Sequence, residues 1–405
     1  MKEICTTDEH SNHKEVADIF RCYGEEYRSQ NGMTKKQHEV MYAIERCRTS
    51  HYGYHVDKCD TCGHIEDNFN SCRDRHCPKC QGINRRKWVE ARLEDILPVP
   101  YYHAVFTLPH LLNALISYNR ALIYDLLFST AAETLLTFGR DPKWLGGELG
   151  FYGILHSWGQ SMWPHLHVHF IVPGGALSDD ERWLTPRYQS KFLFPVRALS
   201  KVFRGKFVEE LKTAYADKKI VFPDDLSHLR EKFHFERWID DLVCRNWIVY
   251  CKAPFRDAEQ VVRYIGRYTH RVAISNQRII DVNNGRVLFR YKDYKASRFT
   301  WKEMDLSASE FIRRFLSHVL PKGFHKIRHY GFLANGRCKA MVSHIKDLLN
   351  SDVSVKDADR SDKTNMQCPE CKKGRMVPWF IKDGFGRIVC LSNIKMNCGV
   401  LPDTS

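Results

Sequence analysis

Acidic residues are scarce in the second half of this sequence. Between Arg263 and Arg298 the only carboxylates are Asp281 and Asp293, against nine lysines and arginines. From Phe311 to Lys339 there are none. Such stretches leave nothing to repel a polyanion. Over the whole chain 62 basic residues face 48 acidic ones, a net charge of +14, and nucleic acid is the natural partner. An apolar leader is also missing: MKEICTTDEH has no hydrophobic core of a secretion signal, so the expected location is cytoplasmic and the thiols are expected reduced. No run reads as a membrane span, because ALIYDLLFSTAAETLLTF is broken by Asp125 and Glu133 and reads as a buried helix. Internal repeats are absent too. What remains is an ordinary folding composition, 43% hydrophobic over 405 residues, enough for two or three domains.

Residues 1–50 read as helical and mixed-polar, and 51–97 as a cysteine-rich ribbon followed by a basic helix. From 98 to 345, strand patterns (YYHAVFTLP, LGFYGILHSW, LHVHFIVPGG, NWIVYCKAPF) alternate with helical ones. RIIDVNNGRVLFRYKD is the clearest hairpin, two alternating runs around Asn283-Asn284-Gly285. KGFHKIRHYGFLANGR reads as a basic loop, 346–366 as a polar linker, and 367–405 as a second cysteine-bearing piece. The fold class expected is α+β, with a mainly antiparallel sheet flanked by helices and preceded by a zinc ribbon.

Cys59, Cys62, Cys77 and Cys80 form two Cys-x-x-Cys knuckles with fourteen residues between them, just under the usual spacing of a four-thiolate structural zinc site. Cys72, His64 and His76 lie close enough in sequence to substitute as ligands. Arg85, Arg86 and Lys87 follow as a candidate duplex or hairpin grip. Near the end, Cys368 and Cys371 would make a second ribbon if joined by Cys390 and Cys398, whose spacing is not that of a knuckle.

In PHLHVHFIV, His165, His167 and His169 alternate with Leu166, Val168 and Phe170. The apolar side faces a core, and three imidazoles in register on the other side point to a metal ion. Neutral imidazoles suit zinc, manganese or iron alike. A zinc hydrolase would need a nearby carboxylate base, and the nearest downstream are Asp179 and Asp180. About a hundred residues later, DAEQVVRYIGRYTHRV places Tyr264 and Tyr268 four apart on one helix face, with Arg263, Arg267 and Arg271 beside them. Arginines there would hold phosphates and favour the phenolate. Gly266, a poor helix residue, implies a close approach at that point. Tyr291, Tyr294, Phe299 and Trp301 interleave aromatics with charge, as single-strand binding surfaces do.

SCRDRHCPKCQ, the WGQ and HLHVHFIVPGG segment, YIGRYTHRVAIS and EFIRRFLSHVLPKGFHKIRHYGFLANGR together resemble the HUH single-strand endonucleases. More closely they resemble the two-tyrosine rolling-circle transposases of the bacterial insertion sequence ninety-one family. His167-Val168-His169 matches the His-hydrophobic-His motif. The resemblance implies an HUH-type nuclease domain in which Tyr264 and Tyr268 are nucleophiles forming 5′-phosphotyrosine links. It also implies catalytic Mg²⁺ or Mn²⁺, structural Zn²⁺, and single-stranded, hairpin and target DNA as partners. The third catalytic metal ligand stays open among His165, Gln160 and His270. A replication initiator or relaxase with the same chemistry, and an inert zinc-ribbon DNA-binding protein, are the alternatives. Oligomeric state is not legible.

Overall fold

The structure, a computed structural model, describes residues 14–186, 192–255, 266, 273–294, 299–349, 367–384 and 386–390. The chain divides into two compact units. One joins Glu15–Cys80 with the carboxy-terminal segment from Lys356, and the other runs from Gln81 to Val355. The basic helix that follows the ribbon in sequence therefore falls in the second unit, and the tail belongs to the first.

In the first unit, α1 (Val16–Gln30) and α2 (Lys35–Glu45) bury Val16, Ile19 and Phe20 with Val40, Met41 and Ile44. Thr34 and Gln37 form a capping box at the start of α2, satisfying two backbone N–H groups that the helix cannot. β1 (Tyr54–Cys59) and β2 (Ile65–Phe69) form an antiparallel hairpin. On its other edge β1 pairs with a strand from the far end of the chain, Met376–Lys382, which pairs in turn with Ile388–Cys390. The tail is thus no free-standing ribbon, because it completes the sheet begun by β1.

The second unit opens with α3 (Gln81–Glu94) and is built on five antiparallel strands: β3 (Tyr101–Thr107), β4 (Gly150–Trp158), β5 (Pro164–Pro173), Val249–Phe255 and Ile327–Gly331. Their spatial order puts β5 at the centre, with β4 and then Ile327–Gly331 on one side, β3 and then Val249–Phe255 on the other. The last of these strands lies in the stretch read as a basic loop. It is only five residues long, half-buried throughout, and sits at the sheet edge, so its pattern is weak.

Alternation along β3, β4 and β5 sends Tyr102, Ala104, Phe106, Leu155, Leu166, Val168 and Phe170 to one face. That face packs on the helices Arg120–Arg140 and Val196–Ala216. Burying each such aromatic or aliphatic side chain contributes about 1.5–3 kcal/mol. Arg120–Arg140 is long and apolar enough to cross a membrane, and it supplies Ile123, Leu127, Phe128, Ala131 and Leu135 to this core. At one end the opposite face is covered by Leu97, Phe332, Val342 and Ile345. The expected hairpin forms Ile279–Asn283 and Arg286–Asp293, and positive φ at Asn284 and Gly285 gives the primed turn its sequence demands. A third strand, Thr300–Ser307, joins it, and Phe289 packs on Phe311 of the helix Ala308–Ser317.

Candidate active site and thiolate clusters

The face opposite the large core carries the histidines. On β5, His167 stands directly across from His156 of β4 and from Thr107 of β3, and His169 across from Ile154 and Val105. The ligand nitrogens of His156, His167 and His169 all lie within 4.8 Å of one another. His156 Nδ1 is 3.3 Å from His167 Nε2.

The tautomer of His167 follows from its neighbour. Its Nδ1 lies 2.8 Å from the His165 carbonyl, an acceptor only, so Nδ1 carries the proton and Nε2 presents the lone pair toward His156. Burial, with His165 nearby, pushes the His167 pKa down to about 3, and burial holds His169 well below the ordinary histidine value. The rings are therefore neutral at physiological pH, the state in which imidazole ligates metal. His103 Nε2 meets His169 Nδ1 at 2.8 Å with the two rings nearly parallel, which leaves Nε2 as the other nitrogen of His169.

The turn joining β4 to β5 sets the register that brings His156 opposite His167. Three of its carbonyls are held from the later part of the chain. Arg278 donates to Gln160 O, Arg314 Nη1 to Ser161 O at 3.1 Å, and His318 Nε2 to Met162 O at 3.0 Å. Arg314 is itself buried and paired with Glu310, whose carboxyl is held down to about 2 by Arg313 first and then by Arg314.

Of the expected ligands, His167 and His169 come together. The third imidazole is His156, which sequence reading passed over inside the strand pattern LGFYGILHSW. His165 stands aside, half-buried, its ring stacked 5.5 Å from His110, and burial lowers its pKa. Gln160 occupies the β4–β5 turn. Tyr264, Tyr268, His270, Arg263, Arg267 and Arg271 lie outside the described residues. Between the two tyrosines Gly266 is described: a Cβ built there would sit 2.2 Å from Val89 Cγ2 and 3.8 Å from Arg85 Cγ. This glycine therefore rests on α3, where Arg85, Arg86 and Lys87 are exposed.

On the three-stranded sheet, Tyr294, Phe299 and Trp301 are exposed large aromatics. Lys292 Nζ lies 4.0 Å from the Phe299 ring centre, and Arg290 stands over Trp301 at 5.1 Å. Cations beside open ring faces suit stacked, negatively charged strands.

The cysteines sort differently from their sequence spacing. Cys77 and Cys80 join Cys47 and Cys72, whereas Cys59 and Cys62 join Cys368 and Cys371. The two knuckles do not share a site: β2 carries the chain roughly 16 Å from the first, five residues at strand rise, and each closes with two other cysteines. His76 is engaged instead by Asp74, at 2.9 Å. Neighbouring sulfurs are 3.5 Å apart in the first cluster (Cys47–Cys80, Cys72–Cys80). In the second they are 3.7 and 3.8 Å apart (Cys62–Cys368, Cys59–Cys371). Four thiolates about 2.3 Å from a zinc ion stand about 3.8 Å from one another, so both sets fit that ion.

The features described so far define a class: a basic protein with zinc-type thiolate clusters and a histidine-bearing antiparallel sheet. A family described as "Putative transposase" matches residues 150–341, and one described as "Transposase zinc-binding domain" matches residues 19–108. "Putative transposase y4qJ" of Sinorhizobium fredii is 46% identical over 384 residues, covering 91% of this chain and 96% of that relative. "Transposase for insertion sequence element IS801" of Pseudomonas savastanoi pv. phaseolicola is 28% identical over 323 residues, 79% of this chain and 76% of its own. No solved structure matches significantly. The chain belongs to the insertion sequence ninety-one family of transposases, and it is a zinc-binding protein that acts on DNA.

Proposed function

We propose that this transposase is a metal-dependent single-strand DNA endonuclease and strand transferase of the HUH type. In this reading it acts in the cytoplasm and mobilises its element by rolling-circle-type transposition. The observation that carries the proposal is the convergence of His156, His167 and His169, whose ligand nitrogens lie within 4.8 Å of one another. These three would hold the catalytic ion, Mg²⁺ or Mn²⁺. Such an ion would polarise a scissile phosphate.

The chain's own residues do the rest. The phenolic oxygen of Tyr264 or Tyr268 attacks phosphorus, the P–O3′ bond breaks, and the departing 3′-oxygen takes up a proton. The 5′-phosphate stays on the tyrosine. Arg263, Arg267 and Arg271 offset phosphate charge and lower the cost of the phenolate. In the second half, a 3′-hydroxyl attacks the phosphotyrosine and the phenol recovers its proton. One phosphodiester is lost and one regained, so no ATP is needed. Two tyrosines allow donor and target strands to be held at once. Arg85, Arg86 and Lys87, with the thiolate-held ribbon, are candidates to read hairpin element ends.

The test is incubation with Mn²⁺ and single-stranded oligonucleotides carrying the element ends. The expected result is a denaturation-resistant protein–DNA adduct, lost in the Tyr264→Phe, Tyr268→Phe double variant and in His156→Ala. An adduct that persists in the double variant would overturn the nucleophile assignment.

A further inference from the structure

The cluster formed by Cys59, Cys62, Cys368 and Cys371 draws on both ends of the chain. Its second half lies beyond both stretches that match known families, 19–108 and 150–341. We infer that it is a separate structural zinc site, a clasp that fixes the carboxy-terminal segment to β1.

The two halves are built alike. Cys59 sits at the end of β1 and Cys62 on the turn that follows; Cys368 and Cys371 stand on the turn that leads into Met376–Lys382, the strand paired with β1. Each turn is closed by a residue of positive φ just past its second cysteine, Gly63 at 75° and Lys372 at 54°. Each sulfur of the Cys59–Cys371 pair accepts backbone N–H groups. Thr61 and Cys62 both donate to Cys59 Sγ at 3.4 Å, and Gly374 donates to Cys371 Sγ at 3.3 Å. Amide donors aimed at sulfur stabilise thiolate, the form that binds zinc.

The two turns also lock to each other. Asp60 N donates to Arg375 O at 3.1 Å, and Arg375 N to Asp60 Oδ1 at 2.8 Å. Gly374 fits against the first turn so closely that a Cβ there would lie 2.5 Å from Cys59 Sγ and 2.6 Å from Thr61 Oγ1. Cys59 and Cys368 are buried, and among the described residues Met376 is the apolar side chain that packs with them and with Cys371 in this small core. A disulfide would hold its sulfurs at about 2.05 Å, whereas separations of 3.7 and 3.8 Å match those of thiolates that share one zinc ion.

The experiment uses the full chain with Co²⁺ in place of zinc, because sulfur-to-cobalt charge transfer reports thiolate sites and is silent for imidazole sites. Two thiolate-bound ions per chain are expected. Cys368→Ser with Cys371→Ser should remove one, halving the band, as should Cys59→Ser with Cys62→Ser. Combining the four substitutions should lose no more than either pair. Cys390→Ser should leave the band intact. If a serine pair prevents folding, Cys371→His, which keeps a zinc ligand, should retain two metals with a weaker band. A full band after loss of Cys368 and Cys371, additive losses from the two pairs, or a halved band in Cys390→Ser would overturn the clasp.

Discussion

His103 on β3 faces His169 on β5 across the sheet, ring parallel to ring, Nε2 to Nδ1 at 2.8 Å. Neither residue is adjacent in sequence to the other, and the contact arises because both point to the histidine-bearing side of their strands. A ring nitrogen fixed in this way settles which nitrogen of His169 is left for an ion and at what angle.

Partners of this kind typically contribute 10–100-fold to metal affinity. His103→Ala is therefore expected to raise the Mn²⁺ concentration for half-saturation of the chelator-treated protein at least tenfold, read by calorimetry. His103→Gln, which keeps a polar group in place, should restore part of that loss. Unchanged affinity in His103→Ala would show that the contact only packs.

A second expectation concerns pH. His318 is buried, its Nε2 against Met162 O and its Nδ1 3.2 Å from Ser157 Oγ. Burial first, then Arg120 and Arg313, lowers its pKa to about 4. Above the unfolded value of about 6.5 both states are neutral and the full stability is present. As pH falls below that, the unfolded chain takes up a proton that the folded one refuses, and stability is lost progressively until about pH 4. Between pH 6.5 and 5 the loss from this group is roughly 1.6 kcal/mol. Thermal unfolding of the chelator-treated protein should show that fall, and His318→Asn, though less stable at pH 7.5, should show a shallower one. Parallel curves would remove His318 as the cause.

Local chemistry was readable from sequence and long-range pairing was not. Asn284-Gly285 announced its turn because few residues tolerate two successive positive φ values. His167 and His169 announced themselves because a strand puts alternate residues on one face. His156 was hidden because its partner depends on the register across the 159–163 turn, which is irregular at Trp158 and pinned by Arg278, Arg314 and His318 from more than a hundred residues away. The cysteine knuckles were legible as knuckles, but nothing local tells Cys59 that its partner is Cys371, 312 residues distant. Cys47 follows a helix rather than a second cysteine, so no spacing rule flagged it.

Gly266 lies between Tyr264 and Tyr268 in sequence and has helical backbone. Alanine is the better helix former by about 1 kcal/mol, so on propensity alone Gly266→Ala would stabilise. The contact reverses that sign: a methyl group at this position would overlap Val89 Cγ2 at 2.2 Å, well inside van der Waals contact. The single variant should therefore unfold at lower temperature and form less of the covalent adduct, because position 266 is pushed off α3. Val89→Ala removes the offending methyl, and the new Cβ would then lie 3.7 Å from the Val89 Cβ position and 3.8 Å from Arg85 Cγ, both ordinary contacts. The Gly266→Ala, Val89→Ala double variant should recover most of the lost stability and adduct, a coupling that two independent defects would not show. Additive losses in the double variant would mean that the glycine is needed for some reason other than its seat on Val89.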